Sequence, residues 1–402
     1  MSALRAAPSW AVAARDLILV AMAVFAVNIA IGILNGADAV EFDHNQILTH
    51  VHAGTVGWLT LTIVAATFLL YRAADRRLML ALAVLVPIYV IAFYTGSLAF
   101  RAIGGTALLI AIAWLLVWVW REYLAGERSL PRLSVALGIT SFGYGAVVGV
   151  LLQVAFAAGV TIIPGDGIGA HASAMTFGYL VLVAMGLMEW RLLGTRDLPV
   201  LGLVQVLALF IGGFVISIGL MVGAEQAAGG IYLLAELIAV VLFVVRIWPR
   251  SLRVGWLDGD PIRHVGAASI WVVGALILFM YLVFSFITAA NPDDPNAFPL
   301  NVLIASDHAA YIGVITNIVL SLLAVLVLSP ETRRSWIGHV IFWGVNLGLL
   351  VFVIGLIVNT AEIKRIGAPV MGLTLYVALA ILAWRSFSAE LGNAETELAP
   401  TP

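Results

Sequence analysis

The chain has 402 residues, 63% of them hydrophobic and only 10% charged, with a mean hydropathy of +1.09 and a formal net charge of −2. Such a composition excludes a soluble globular protein and a nucleic-acid binder, and spends the length on membrane spans rather than on two soluble domains. Cysteine is absent, which excludes disulfides, Fe–S clusters, thiolate metal sites and covalently attached c-type heme, so a redox centre would have to be held by His, Met or carboxylate.

Apolar runs long enough to cross about 30 Å of hydrocarbon predict twelve helices, at 17–36, 49–71, 78–98, 102–120, 134–159, 169–190, 199–222, 229–247, 265–289, 300–328, 337–358 and 368–384. Met1–Ala14 is short for a cleavable signal, and Leu17–Leu34 is long enough to stay as a span. With the N-terminus in the cytoplasm, seventeen basic residues fall inside and only Arg101, Lys364 and Arg365 outside. That bias predicts a multi-pass protein of a bacterial-type inner membrane, in contact with the lipid bilayer and with both termini cytoplasmic. The outer loops are acidic, at Asp38, Glu41, Asp43, Asp166, Glu225, Asp293 and Asp294. The longest loop, Pro249–Arg263, is cytoplasmic, and the polar, acidic tail 387–402 is expected to be disordered. The fold expected is therefore all-α, a membrane domain over 1–386.

The second span opens THVHAGTVGWL, with His50 and His52, and its motif recurs twice. His50, Gly57, Trp58 and Leu59 match His171, Gly178, Tyr179 and Leu180; His52-Ala53, Gly57 and Thr60 match His308-Ala309, Gly313 and Thr316. The motif falls on spans 2, 6 and 10, the second members of three four-helix units at about 17–120, 134–247 and 265–384. Repeats of this kind commonly frame a binding site. Each histidine falls near the outer end of its span, so all four share one slab of the membrane.

Imidazole is the commonest protein ligand for iron and copper, and heme without cysteine is most naturally held by two histidines of different helices. His50 and His52 stand about 200° apart around their helix, so they address different crevices. Matching registers predict one site between His52 and His308 and a second between His50 and His171, the latter holding copper or a second heme. Gly54, Gly57, Gly178 and Gly313 would let a flat macrocycle approach, or would serve close helix packing. Heme propionates need cations; Lys364-Arg365 is the natural pair, with an ion pair to Glu362 as the alternative use and Arg101 as a weaker candidate. Glu236, inside span 8, is a candidate proton relay. Asp307 could orient a ligand, and His44 with Asp43 could bind a surface metal. His264 and His339 are expected at the interface, with Gln153, Asn317 and Asn346 as packing hydrogen bonds.

Twelve spans with histidines on spans 2, 6 and 10 resemble the catalytic subunit of the heme-copper oxidase superfamily, which includes cytochrome oxidases and nitric oxide reductases. The resemblance implies a b-type heme with axial ligands His52 (or His50) and His308, a metal ligand at His171, and propionate partners at Lys364 and Arg365. The chain departs from that pattern at three places: span 7, LVQVLALFIGGFVISIGL, has no histidine pair, span 10 carries Ser306 in place of a histidine, and Met175 stands where a redox tyrosine or glutamate is expected. This implies an oxidoreductase-like protein lacking the full dinuclear-centre ligand set. In size it is similar to the twelve-span heme- and copper-associated proteins of the nitric oxide response. The function implied is electron transfer, or nitric oxide or dioxygen handling in respiration or denitrification, with a respiratory electron donor or partner subunit. A twelve-helix transporter is a competing reading, since YRAADRRL resembles the Asp-Arg loop of major facilitator transporters; a non-catalytic subunit of a respiratory complex is another.

Overall fold

The computed structural model describes residues 7–194, 197–289, 298–389, 391 and 398, and they contain twelve long apolar helices and no strand. In chain order these are α1 (Ser9–Gly36), α2 (His44–Tyr71), α3 (Arg76–Tyr94), α4 (Leu98–Ala125), α5 (Leu130–Ala158), α6 (Gly167–Leu193), α7 (Val200–Val222), α8 (Glu225–Ser251), α9 (Ile262–Thr288), α10 (Leu300–Val327), α11 (Trp336–Ile357) and α12 (Ala361–Ser388). Each is long and apolar enough to cross a membrane. The protein is an all-α polytopic membrane protein. The acids Asp293 and Asp294 of the predicted outer loop lie outside the described residues.

Several helices run past the apolar stretch that announces them. α2 starts at His44 because Asp43 and Gln46 cap it reciprocally: the Gln46 amide donates to the Asp43 carboxylate at 2.8 Å and the Asp43 amide to the Gln46 side chain at 2.9 Å. One oxygen of the Asp43 carboxylate, beside His44, is thereby engaged in the cap. At the other end of the chain, α12 begins at Ala361, so Lys364 and Arg365 occupy its first turns and not a loop. The expectation of a wholly disordered tail is corrected at two points. Leu391 and Leu398 are buried, and Arg191 donates to the Leu398 carbonyl at 2.8 Å, because two leucines in an otherwise polar tail have apolar surface to shed.

The three motif helices are the innermost. The most apolar windows of α2, α6 and α10 are 89%, 72% and 83% buried, whereas those of the other nine helices range from 39% to 67%. Apolar side chains gain little from leaving lipid, so what binds this inner triad is close packing and hydrogen bonds. Trp58 on α2 donates to Thr316 on α10 at 2.9 Å, and Thr176 on α6 pairs with Tyr311 on α10 at 2.9 Å. Trp58 also stacks on Phe25 of α1, with ring centroids 4.4 Å apart.

Each triad helix changes its winding at the same point of the motif. The segments Ala53–Thr60, Ala174–Val181 and Ala309–Thr316 are π-helical, each eight residues long. Hydrogen bonds there reach five residues back, a geometry that is rare and concentrated at functional sites. Two equivalent threonines tie off the wide turns: Thr60 donates to the Thr55 carbonyl at 3.0 Å and Thr316 to the Tyr311 carbonyl at 2.9 Å. The third helix has Val181 at that place. His52 and His308 immediately precede their π-segments, and His171 stands three residues before its own.

Candidate functional site

All four motif histidines share one hydrogen-bonding arrangement. Nδ1 of His50 lies 3.1 Å from the carbonyl of Asn28, that of His52 2.8 Å from Leu48, that of His171 2.8 Å from Gly145 and that of His308 2.8 Å from Ile304. A carbonyl only accepts, so each Nδ1 carries the proton and donates it. Each Nε2 is left as the unprotonated nitrogen, without a protein partner among the described residues. Metal-ligating histidines are commonly fixed in this way, the second nitrogen setting tautomer and ring direction. The four rings lie inside the bundle and are partly buried, and those of His52 and His171 border a cavity.

The remaining histidines contrast with these. Nδ1 of His339 accepts from the Arg263 guanidinium at 3.0 Å. His264 is buried and not at an interface, its Nδ1 bonded to Asn317 at 2.7 Å, and Asn317 and Asn346 bond each other reciprocally at 3.1 and 3.2 Å. That cluster holds helices together, as expected of the two asparagines.

The pairing inferred from register is exchanged in the structure. The electrostatic neighbour of His50 is His308, and that of His52 is His171. His52 and His171 both line a cavity of about 520 Å³, which neither His50 nor His308 reaches. The reason lies in the geometry of repeats. Three like helices around a common axis meet head to tail, so the first position of one motif faces the second position of the next. His50 and His171 are first positions; His52 and His308 are second positions.

The cavity walls come chiefly from α2, α6, α9 and α10 and are mostly apolar, with Asp166 and Glu225 at the helix starts, and Asp307, Tyr311 and Thr176 further in. Its size is in the ordinary range for small-molecule and cofactor pockets, roughly 300–1,000 Å³. Asp307 lines this cavity beside Tyr311 and does not orient His308. His52 is held from behind by Phe93, whose ring lies parallel to it at 3.6 Å, and Arg101 lies over that ring at 4.6 Å. Arg101 is buried and donates to Asn45 at 2.7 Å and to the Phe93 carbonyl at 2.9 Å. It braces the His52 support with these two bonds, while its Nε is buried without a hydrogen-bond partner.

His50 and His308 occupy tighter surroundings. Asn28 of α1 donates its side-chain amide to the His50 carbonyl, and a Cβ built on Gly32 would come 3.0 Å from the His50 ring. His308 meets the edge of Phe352 on α11 at 5.0 Å. Phe352 in turn packs on Gly367 of α12, one turn beyond Lys364 and Arg365. The basic pair therefore belongs to the His50–His308 side. Arg365 bonds Asp38 at 3.0 Å, not Glu362, and both groups are exposed; Lys364 makes no ion pair among the described residues.

Two sets of residues change meaning. Gly54 and Gly57 face Asn28 and Val24 of α1, Gly178 faces Ser141 and Gly213, and Gly313 faces Trp271. They serve helix packing and do not line the cavity. Gly32 and Gly149, which nothing in the motif singled out, are the glycines that face histidine rings; a Cβ on Gly149 would stand 2.7 Å from His171 Cε1. Their signal in the sequence was only a small residue on a neighbouring helix. Glu236 is 1% exposed, and the Tyr232 hydroxyl one turn earlier is its side-chain neighbour; neither group has a further partner among the described residues. The Tyr232 ring packs on Phe177 and Phe279, both of which line the cavity, so the carboxyl lies behind its wall.

Among the described residues no group of three His, Asp or Glu converges as a metal-ligand set. His52 and His171 alone do not complete a three-ligand copper site, whereas two imidazoles suffice for the axial positions of heme iron. No protein-family model matches this chain, and no curated protein matches it.

Proposed function

We propose that this chain is a heme-binding integral membrane protein that transfers electrons or handles nitric oxide or dioxygen, related to the heme-copper oxidase catalytic subunits. The observation that carries this reading is the shared state of His50, His52, His171 and His308: four imidazoles on the inner triad, each donating Nδ1–H to a backbone carbonyl and each with Nε2 left without a protein partner among the described residues. Bilayer-embedded histidines are costly and usually functional, and four held in one tautomer have no packing reason to be so.

His50 and His308 would hold a b-type heme, with Lys364 and Arg365 on the same side for its propionates. His52 and His171 would hold a second group, a heme or a metal ion with further ligands from outside the protein. A bound heme supplies reversible one-electron chemistry and, where an axial position is open, gas binding. The chain's own residues fix the imidazoles, set the Phe352 ring against His308, and line the His52–His171 cavity with Asp166 and Glu225 at the helix starts. Behind Phe177 and Phe279, the Glu236 carboxyl would exchange a proton when charge enters that cavity, with the Tyr232 hydroxyl beside it. The basic-residue bias favours the histidine end facing outward from a bacterial-type inner membrane.

The deciding experiment is a reduced-minus-oxidised absorption spectrum of the purified protein, with pyridine hemochrome quantification and metal analysis. Bands of b-type heme in stoichiometric amount are expected. A colourless, metal-free protein would reject the proposal and leave a transporter, for which the cavity would be the substrate site.

A further inference from the structure

At the end of the bundle opposite the histidines, a pocket of about 270 Å³ lies between the end of α6, the end of α8 and the start of α9. Three of its lining residues are arginines, Arg191, Arg250 and Arg253, and none is acidic. Arg191 is 5% exposed, and its Nε is buried with no hydrogen-bond partner. Its other contacts are a bond from Nη1 to the Leu398 carbonyl at 2.8 Å and a position over the Trp190 ring at 5.6 Å, with Asp260 and Arg333 as its nearest charges. Arg250 and Arg253 are exposed and make no ion pair among the described residues.

Asp260 is a single carboxylate near Arg191, so a guanidinium buried with one donor unsatisfied, beside two exposed guanidinia without ion pairs, is better accommodated when a further anion joins them. Three forks around one small pocket suit an acceptor with three or more oxygens better than a two-oxygen carboxylate, and guanidinium matches phosphate in geometry as well as charge. The pocket sits where α6 and α8 leave the apolar slab, the depth at which basic pockets between spans meet lipid headgroups. We propose that Arg191, Arg250 and Arg253 form a binding site for a phosphate-bearing anion, separate from the histidine sites.

The test uses the full-length protein in detergent, first exchanged against phosphatidylglycerol or phosphatidylcholine and examined by native mass spectrometry, then titrated with inorganic phosphate in a thermal-shift assay. The expected result is at least about tenfold preferential retention of phosphatidylglycerol, or a saturable rise in melting temperature with phosphate. The first outcome assigns the site to a lipid headgroup and the second, without the first, to a soluble anion. Either response should disappear in the Arg250→Gln/Arg253→Gln variant, whose substitutions are at exposed positions and whose helicity is checked by circular dichroism. It should persist in an Arg76→Gln/Arg77→Gln control at the same end of the bundle. No preference and no thermal response, or equal loss in both double variants, would overturn the assignment.

Discussion

The two histidine pairs are built from residues only two positions apart on α2, yet their surroundings differ in kind. His52 and His171 look into a cavity of about 520 Å³ with carboxylates at the helix starts around it. His50 and His308 are pressed between α1 and α11, with a ring edge against one imidazole, a glycine against the other, and a basic pair on the adjoining helix. An enclosed pair of fixed ligands suits a group that must keep its coordination while it exchanges electrons. An accessible pair suits a group that must admit something. One motif, carried by three helices, thus places two histidine pairs in surroundings of different kind.

The comparison can be broken most directly at the ligands. His50→Ala and His308→Ala should each abolish the low-spin bis-histidine spectrum while leaving ligand-induced changes at the open pair; if both variants keep that spectrum, the enclosed site is misassigned. His52→Ala and His171→Ala should do the reverse, removing any spectral response to carbon monoxide or nitric oxide but not the low-spin bands. A subtler wedge is Gly149→Ala, whose new methyl would meet the His171 ring. It should weaken the group at the open pair by about 10–100-fold, the scale of outer-shell changes, as read by cofactor retention against urea or chelator.

Below the ligands the expected effects shrink. Trp58→Phe deletes the bond to Thr316 that joins α2 to α10 beneath the enclosed pair. The loss should be about 0.6 kcal/mol and at most about 1.7 kcal/mol, as for other hydrogen bonds between membrane helices, measured by unfolding in mixed micelles. Arg365→Gln breaks the exposed pair with Asp38 and should change stability by less than about 1 kcal/mol. If Arg365 also serves a propionate, the same variant shifts the low-spin midpoint potential and leaves the open site unmoved.

The spans were legible because a bilayer demands long apolar runs, and the motif was legible because three helices repeat it. Other features were not. The exchange of partners between His50, His52, His171 and His308 follows from how repeats turn about an axis, which residue-by-residue matching does not encode. The supporting roles of Gly32, Gly149 and Phe93 depend on which neighbouring helix faces which ring. The π-segments have no local signature: AGTVGWLT, AMTFGYLV and AAYIGVIT read as ordinary membrane helix. Lys364 and Arg365 fall between the predicted spans 337–358 and 368–384, because two charges beside an apolar run read as its boundary even where the helix continues through them.

The wide turns also carry an implication for how such a chain tolerates change in length. Excising one residue from 53–60 would return that segment to ordinary winding and leave the helix continuous. Because each wide turn already holds one extra residue, the excision would leave His50 and His52 at nearly their present bearing relative to Leu61–Tyr71 and would cost chiefly the bond from Thr60 to the Thr55 carbonyl. Single-residue deletions at these three places should therefore be milder than the same deletions in the ordinary turns between a histidine and the far end of its helix, which would rotate everything beyond them by about 100°.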